Sequence, residues 1–224
     1  MVMLEHRQTA AVTSEGLRER LYGALLFARA RVSTRDWVAL SLSLFACVLL
    51  QGHSFVAPVV PWSVQVLTTP LAPAVPAACV VVLLRRVSPA LDTTLDVERH
   101  QAARAFWVAF LLVAGVVTCA VVATIASGGR QDAAVSARSY ASFFGLEAVG
   151  ASLWGVETAW IAPACVLTAH IYFGRTADQV PLSWAWILSP AGSLASWCFA
   201  FVIAASAVTL YILRDTAGET DERT

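Results

Sequence analysis

One uninterrupted apolar run, residues 105–126 (AFWVAFLLVAGVVTCAVVATIA), limits what this chain can fold into more than any other feature. It contains no charged residue and no proline, and it exceeds the roughly 20 residues that cross a bilayer core as one helix. Arg104 precedes it, and Arg130 follows it after a Ser-Gly-Gly break. A surface helix of a soluble protein would show a polar stripe with a period near 3.6 residues, and none is visible here. The run therefore predicts a membrane-spanning helix.

The composition agrees with a membrane protein. Hydrophobic residues make up 58% of the chain and charged residues 13%, which lies outside the range of soluble globular domains. The basic and acidic residues number 15 each, so no overall field favours nucleic acid as a partner. The five cysteines lie singly in apolar runs without a CxxC pair, which indicates packing residues rather than a metal site or disulfides. We expect no metal and no cofactor.

The hydrophobic pattern predicts an all-α membrane helix bundle. A cytoplasmic N-terminal segment, 1–36, precedes a transmembrane domain, 37–213, and a loose cytoplasmic tail, 214–224. The predicted spans are 37–55, a broken second span ending at 84, 105–126, 140–155, 157–173 and 192–213. Residues 127–139 are predicted to form a polar loop. The stretch after it contains the helix-interrupting residues Gly145, Gly150, Gly155 and Pro163. If residues 140–173 formed one crossing instead, the bundle would have five spans.

Arginine distribution sets the orientation, because cytoplasmic segments keep the positive excess. With six spans and the N-terminus inside, only Arg130, Arg138 and Arg175 of the 15 arginines lie outside. The five-span arrangement separates the arginines less well, and it also has the N-terminus inside. We therefore prefer six spans, in a bacterial cell membrane.

The N-terminal segment contains a basic amphipathic pattern. Leu17, Leu21, Leu25 and Ala28 share one helical stripe, and arginines occupy much of the remainder. Such a helix can lie in the headgroup plane before the first span. A solvated helix leading into that span fits the pattern equally.

Prolines interrupt the chain repeatedly between residues 56 and 76. Because each proline removes a backbone donor, an ordinary helix cannot form there. Irregular backbone at membrane depth persists only against protein or a water-lined cavity, so this stretch, with Gln65, is a candidate pathway wall. A plain external loop is the alternative.

A charged segment between the second and third spans predicts a short separate helix, from Ala90 to about Ala103. Ser88-Pro89 suits its N-cap and first helical residue. This helix is either a cytoplasmic turn or a docking surface for a soluble partner. The candidate docking residues are Leu91, Leu95, Glu98, Arg99 and Arg104.

Ionisable residues inside spans are functional candidates, because placing one there costs about 2.5–3.5 kcal/mol. Glu147 lies near the midpoint of the predicted fourth span and is a candidate pathway residue. Glu157 suits a helix start, and His53 and His170 suit neutral core positions near span ends. The chain has no GxxxxGK[ST] loop and no HExxH or GxSxG pattern, so it binds no ATP itself and is not expected to be an enzyme.

Small residues recur every four positions on the last span. Such rows let helix backbones approach closely in lipid. The candidate packing residues are Gly192, Ser196, Ala200 and Ala204; an alanine-rich span also produces such rows by chance.

Several of these features together resemble the permease subunits of type-2 ABC exporters, in particular small six-span actinobacterial proteins of that kind. They are the basic amphipathic helix before Trp37, the charged segment 88–104, the patterns Tyr140-x-x-Phe-Phe-Gly-Leu-Glu, Ala159-Trp160-x-x-Pro163 and Phe173-Gly174, and an aromatic hairpin near 181–186. The proline-rich stretch 58–76 and the short span 140–155 depart from the family. The resemblance implies a separate ATP-binding subunit docked on the inner helices, and substrate exit between two permease subunits.

Three functions remain open at this point. The first is an exporter permease subunit, with lipid, an ATP-binding subunit and a second permease copy or homologous chain as partners. The second is an accessory or immunity-type membrane protein that binds a partner without moving solute. The third is a proton- or ion-coupled carrier that uses Glu147.

Overall fold

A computed structural model of the chain describes residues 33–51, 53–59, 62–67, 69–91, 97–127, 129–176, 178 and 180–221. The predicted amphipathic stripe at Leu17, Leu21, Leu25 and Ala28 lies outside these residues. The chain divides into two compact units, Met1–Val38 and Ala39–Thr224. In the first unit, Ser33 and Asp36 form a reciprocal cap at the start of a helix. The Asp36 amide donates to Ser33 Oγ (3.3 Å), and the Ser33 amide donates to the Asp36 carboxylate (3.0 Å).

The described residues are mainly helical. The elements in chain order are α1 (Thr34–Leu50), β1 (Ser54–Val59), β2 (Trp62–Leu67), α2 (Ala74–Leu91), α3 (Val97–Ser127), α4 (Arg130–Trp154), a 3-10 turn (Val156–Thr158), α5 (Ile161–Phe173) and α6 (Leu194–Asp221). Each of the six α-helices overlaps one predicted span. Two segments, Ala105–Ser127 in α3 and Val156–Phe173, are long and apolar enough to cross a membrane.

Helix α4 is the centre of the second unit. It packs against α2, α3, α5 and α6. Its faces carry many of the most buried side chains, among them Tyr140, Phe143 and Phe144, which join the main apolar cluster. Gly155 ends the helix with φ +94°, a left-handed conformation that only glycine adopts readily, and the chain turns there towards α5.

The proline-rich stretch ends in α2, which contains Pro76, whereas its first part forms a two-stranded antiparallel hairpin, residues 54–67. In its register Ser54 pairs with Leu67 and Val59 with Trp62. The extended backbone of β1 accommodates the fixed φ of Pro58. A two-stranded hairpin also tolerates the backbone N–H donor that this proline lacks. The prediction that no ordinary helix forms here is therefore confirmed for residues 54–59 and 62–67, and the two strands are an addition to described residues that are otherwise mainly helical. The second predicted span corresponds to α2, which runs from Ala74 to Leu91 without a break.

The prediction of a separate charged helix from Ala90 to about Ala103 is wrong. Residues 90 and 91 end α2, and residues 97–103 begin α3 without a break before its apolar run. No glycine or proline stands between Val97 and Gly115, so nothing stops the helix from propagating through both the charged and the apolar parts.

Two further predicted loops are helical. The polar loop 127–139 belongs mostly to α4, which begins at Arg130. The tail expected to be loose after residue 213 continues α6 to Asp221. In both cases polar residues suggested a loop, but alanine and other helix-compatible residues without proline extend the neighbouring helix.

Candidate functional site: the polar interior around helix α4

Several polar side chains are buried inside the bundle beside its apolar core, whereas many large apolar side chains are exposed on its outside. On α4 alone six polar residues are buried: Ser136, Arg138, Ser139, Ser142, Glu147 and Ser152. On α3, by contrast, most of the exposed residues described are large and apolar: Phe106, Phe110, Val113, Val117, Val121 and Ile125. A soluble protein shows the reverse distribution. Buried polar groups at the centre of an apolar-surfaced bundle are the positions at which such a protein can recognise a solute.

Arg138 is completely buried and is held by backbone carbonyls. Its guanidinium donates to the carbonyl oxygens of Pro190 (3.0 Å), Ile187 (3.4 Å) and Ser189. Its Nε has no partner, and no acidic side chain in the described part of the chain pairs with it. Partial negative charges on three carbonyls thus replace the carboxylate that usually accompanies a buried arginine.

These carbonyls belong to the α5–α6 loop, residues 174–193, which folds back against α4. Within it, the Ala185 amide donates to Leu182 O (2.9 Å), and Ser189 Oγ donates to Ala185 O (3.1 Å). These bonds curl the segment so that its carbonyls converge on one guanidinium. Ala185 and Ile187 are fully buried, so the loop fills space inside the bundle.

A second contact fixes the α5–α6 loop to α4. Trp186 Nε1 donates to Ser142 Oγ (3.2 Å), and Ser142 Oγ donates in turn to Arg138 O (3.0 Å). The Trp186 ring also stacks on Phe199 of α6 at a centroid distance of 5.6 Å. The aromatic hairpin predicted at a membrane interface is therefore docked on the central helix.

His170 lies beside the same aromatic cluster. Its ring is 5.2 Å from Trp184 and 4.5 Å from Trp186, edge to face in both cases. Nδ1 is 2.7 Å from Val166 O, and because a carbonyl only accepts, Nδ1 carries the proton. Nε2 is buried and has no partner among the described residues. The ring packs as an aromatic core residue.

Glu147 is 3% exposed, and its Oε2 has no hydrogen-bond partner in the described part of the chain. Arg138 lies roughly 13 Å away along the helix axis, and its guanidinium is already engaged by the loop. The rings of Phe143 and Phe144, both fully buried, stand one turn before Glu147. The carboxyl group is thus buried, without a hydrogen bond at Oε2 from the described residues, one turn after two fully buried phenylalanine side chains.

A smaller polar contact joins α1 to α4. Gln51 Nε2 donates to Ser136 Oγ (3.0 Å), and its Oε1 is buried without a partner among the described residues. Cys47 on α1 and Cys119 on α3 are both buried, and their thiols lie near each other. Among the residues that the structure describes, no cluster of three or more His, Cys, Asp or Glu side chains could hold a metal ion.

The other predicted candidates are scattered. Leu91 ends α2, and Glu98, Arg99 and Arg104 lie in the first turns of α3, whereas Leu95 falls outside the described residues. Gln65 lies in β2 opposite Val56. On α6, Ser196, Ala200 and Ala204 are buried in one row, but Gly192 is exposed and precedes the helix.

The sequence did not single out Arg138, Ser142 or Gln51 as parts of the interior. Arg138 was assigned to an outer loop because residues 127–139 are polar. One signal could have corrected this: no glycine or proline occurs between Gly129 and Gly145, so a helix can run through the whole segment. The partners of Arg138 are carbonyls, which carry no sequence signature. Comparisons with protein-family models, with curated proteins and with solved structures find no match to this chain.

Proposed function

We propose that this chain is the membrane-embedded permease subunit of an ABC-type export system whose ATP-hydrolysing subunit is a separate chain. The observation that carries the proposal is an interior that holds buried polar side chains beside its apolar core, within a bundle whose outside exposes large apolar residues. Glu147 is buried at 3% exposure, whereas Ile125 on the outside is 79% exposed. Solute-moving membrane proteins need such an interior, because a solute crossing lipid must meet polar groups inside the protein.

Two helical segments support the placement in a membrane. In the 18-residue apolar stretch of each segment, Ala105–Ser127 and Val156–Phe173, only 17% is buried inside the protein. The core helix of a soluble protein with the same hydropathy would be mostly buried. In the proposed arrangement the six helices cross a bacterial cell membrane with both termini in the cytoplasm, and a second copy or a homologous chain completes the exit pathway.

The proposed docking element for the ATPase is the charged segment 88–104. Helix α2 continues past its apolar part, Ala74–Leu84, to Leu91, and α3 begins at Val97, before its apolar part starts at Ala105. The two helices pack against each other, and each extends about 10 Å beyond its apolar stretch. Helices that continue out of the membrane can transmit a movement made by a partner at their ends to the bundle.

Purification of the tagged chain from its own cells in mild detergent, with identification of the chains that co-purify, tests this proposal. We expect a stable complex that hydrolyses ATP. Arg99→Glu and Arg104→Glu should each reduce the recovered ATPase several-fold, because charge reversal opposes a contact that the arginines favour. Arg130→Glu is the matched control, since it makes the same change at the exposed start of α4.

Three results would contradict the proposal, the first of them only in its docking site. Equal ATPase recovery with all three variants would remove the docking assignment. A stable complex without ATP turnover would favour an accessory protein instead. Failure of any nucleotide-hydrolysing chain to bind would contradict the proposal as a whole.

A further inference from the structure

Glu147 is an acid for which the described residues provide no cation. The free energy of a buried, unpaired ionised carboxylate is high, so such groups are neutral or pair with a positive charge. The other charged group buried on α4, Arg138, is occupied by the carbonyls of Ile187, Ser189 and Pro190 and lies too far along the helix to reach Glu147. Among the described residues no positive charge is therefore available to pair with an ionised Glu147, and a ligand can supply one.

The surroundings of Glu147 favour an organic cation over a metal ion. Side chains on a helix lean towards its N-terminus, so the carboxyl group lies over the turn that carries Phe143 and Phe144. Both rings are fully buried, and Tyr140 stacks against Phe144 at a centroid distance of 6.1 Å. Aromatic faces attract organic cations, whereas Ca²⁺ and Mg²⁺ need several oxygen ligands. The described residues bring no such set together.

From this juxtaposition we propose that Glu147, with the aromatic rings of Phe143, Phe144 and Tyr140, binds the positively charged group of a lipophilic organic cation. The inference rests on the proposed transport function and names the substrate class of that pathway. In the conformation described here the site is closed, because Glu147 is 3% exposed and Ala148 and Ala151 beside it are also buried. Substrate entry accompanies the separation of α4 from its neighbours, a movement of packed helices that a transport cycle provides.

Binding of a permanently charged probe tests the proposal directly. Tetraphenylphosphonium and tetraphenylborate have nearly the same size and apolar surface but opposite charge. Equilibrium dialysis of the full-length protein in detergent should show binding of the cation and much weaker binding of the anion. Glu147→Gln should weaken tetraphenylphosphonium binding by about tenfold or more, because it removes the charge from a buried pair and leaves the shape.

Two further variants separate charge from structure. Glu147→Asp keeps the carboxylate and should retain more affinity for tetraphenylphosphonium than Glu147→Gln. Glu157→Gln makes the same change at an exposed acid in the 3-10 turn and should leave binding unchanged. Size-exclusion profiles of all variants show whether the fold is intact.

A measurement on the unmodified protein keeps the proposal falsifiable if the Glu147 variants fail to fold. Dicyclohexylcarbodiimide reacts with carboxylic acids in apolar surroundings, and after rearrangement the whole reagent remains attached as an N-acylurea. We expect this adduct on Glu147 by mass spectrometry, and tetraphenylphosphonium, but not tetraphenylborate, should slow its formation.

Equal binding of the two probes, wild-type affinity in Glu147→Gln, or labelling of Glu147 that tetraphenylphosphonium does not slow would each overturn the inference. These outcomes are independent of the export proposal. If an ATPase assembles with the chain but cation binding does not depend on Glu147, only the substrate class is wrong. If cation binding depends on Glu147 but no ATPase assembles, the export proposal is wrong and a carrier that needs no nucleotide takes its place.

Discussion

Gly115 of α3 lies directly against the phenol ring of Tyr140 on α4. A methyl group at position 115 would overlap the Cζ, Cε1 and Oη atoms of that ring. The Tyr140 hydroxyl also donates to Leu111 O, one turn earlier on α3 (3.4 Å). Because Gly115 has no side chain, the large side chain of Tyr140 on the central helix can be completely buried.

Gly115→Ala should therefore destabilise the bundle by about 1–3 kcal/mol, the usual cost of overpacking a well-filled interior. Thermal unfolding of the detergent-solubilised protein, followed by tryptophan fluorescence, measures the change. Gly192→Ala is the control, because a Cβ there would meet nothing within 4 Å. The double variant Gly115→Ala/Tyr140→Ala should cost less than the sum of its single changes, since the clash is gone. Additive losses would contradict the close approach.

Replacement of Arg138 should release the α5–α6 loop. Arg138→Gln leaves the carbonyls of Ile187, Ser189 and Pro190 without their donor, at about 1–3 kcal/mol for each stranded group. A cysteine introduced at Ala185, which is fully buried, reports the opening through its rate of labelling by a maleimide. The native cysteines are replaced by serine in this experiment.

We expect Ala185→Cys to label slowly in an otherwise unchanged chain and at least several times faster when Arg138→Gln is added. Arg130→Gln removes a positive charge at an exposed position of the same helix and should leave the rate unchanged. Rapid labelling with Arg138 intact would show that the loop is not docked as described.

The pair Cys47 and Cys119 provides a test of how α1 packs on α3. In a chain with Cys79, Cys165 and Cys198 replaced by serine, mild oxidation with copper phenanthroline should join the two remaining thiols, because both are buried side by side. Mass spectrometry detects the loss of two hydrogen atoms within one chain. The same treatment of the Cys119→Ser variant should give no such product. Intermolecular crosslinks alone would contradict the packing.

The sequence predicted the helical elements well where hydrophobicity was the signal. The run 105–126 lies within α3, and two helices occur where residues 140–173 were divided at Gly155. The predictions were wrong where polarity was taken to mean a loop, as at Arg130–Ser139 and in the tail after residue 213. A central helix surrounded by other helices can be polar, and one-dimensional hydropathy does not distinguish it from a loop.

The sequence predicted the candidate site only in part, as it did the fold. Glu147 was identified from the sequence, because a carboxylate in an apolar segment is conspicuous. The docked loop was not, because Trp184 and Trp186 suit a membrane interface as well as an interior. The docking of Trp186 and its loop depends on Ser142 and Arg138, which come from another part of the chain and meet the loop only through the fold.

The polarity of α4 also affects how the protein is made. In the proposed membrane arrangement, Arg138 and Glu147 each oppose transfer of an isolated α4 into lipid by about 2.5–3.5 kcal/mol. The Ser189 carbonyl that receives Arg138 is synthesised 51 residues later. The translocation machinery therefore has to shelter α4 until the following segments emerge, and this helix joins the bilayer only in the company of its neighbours.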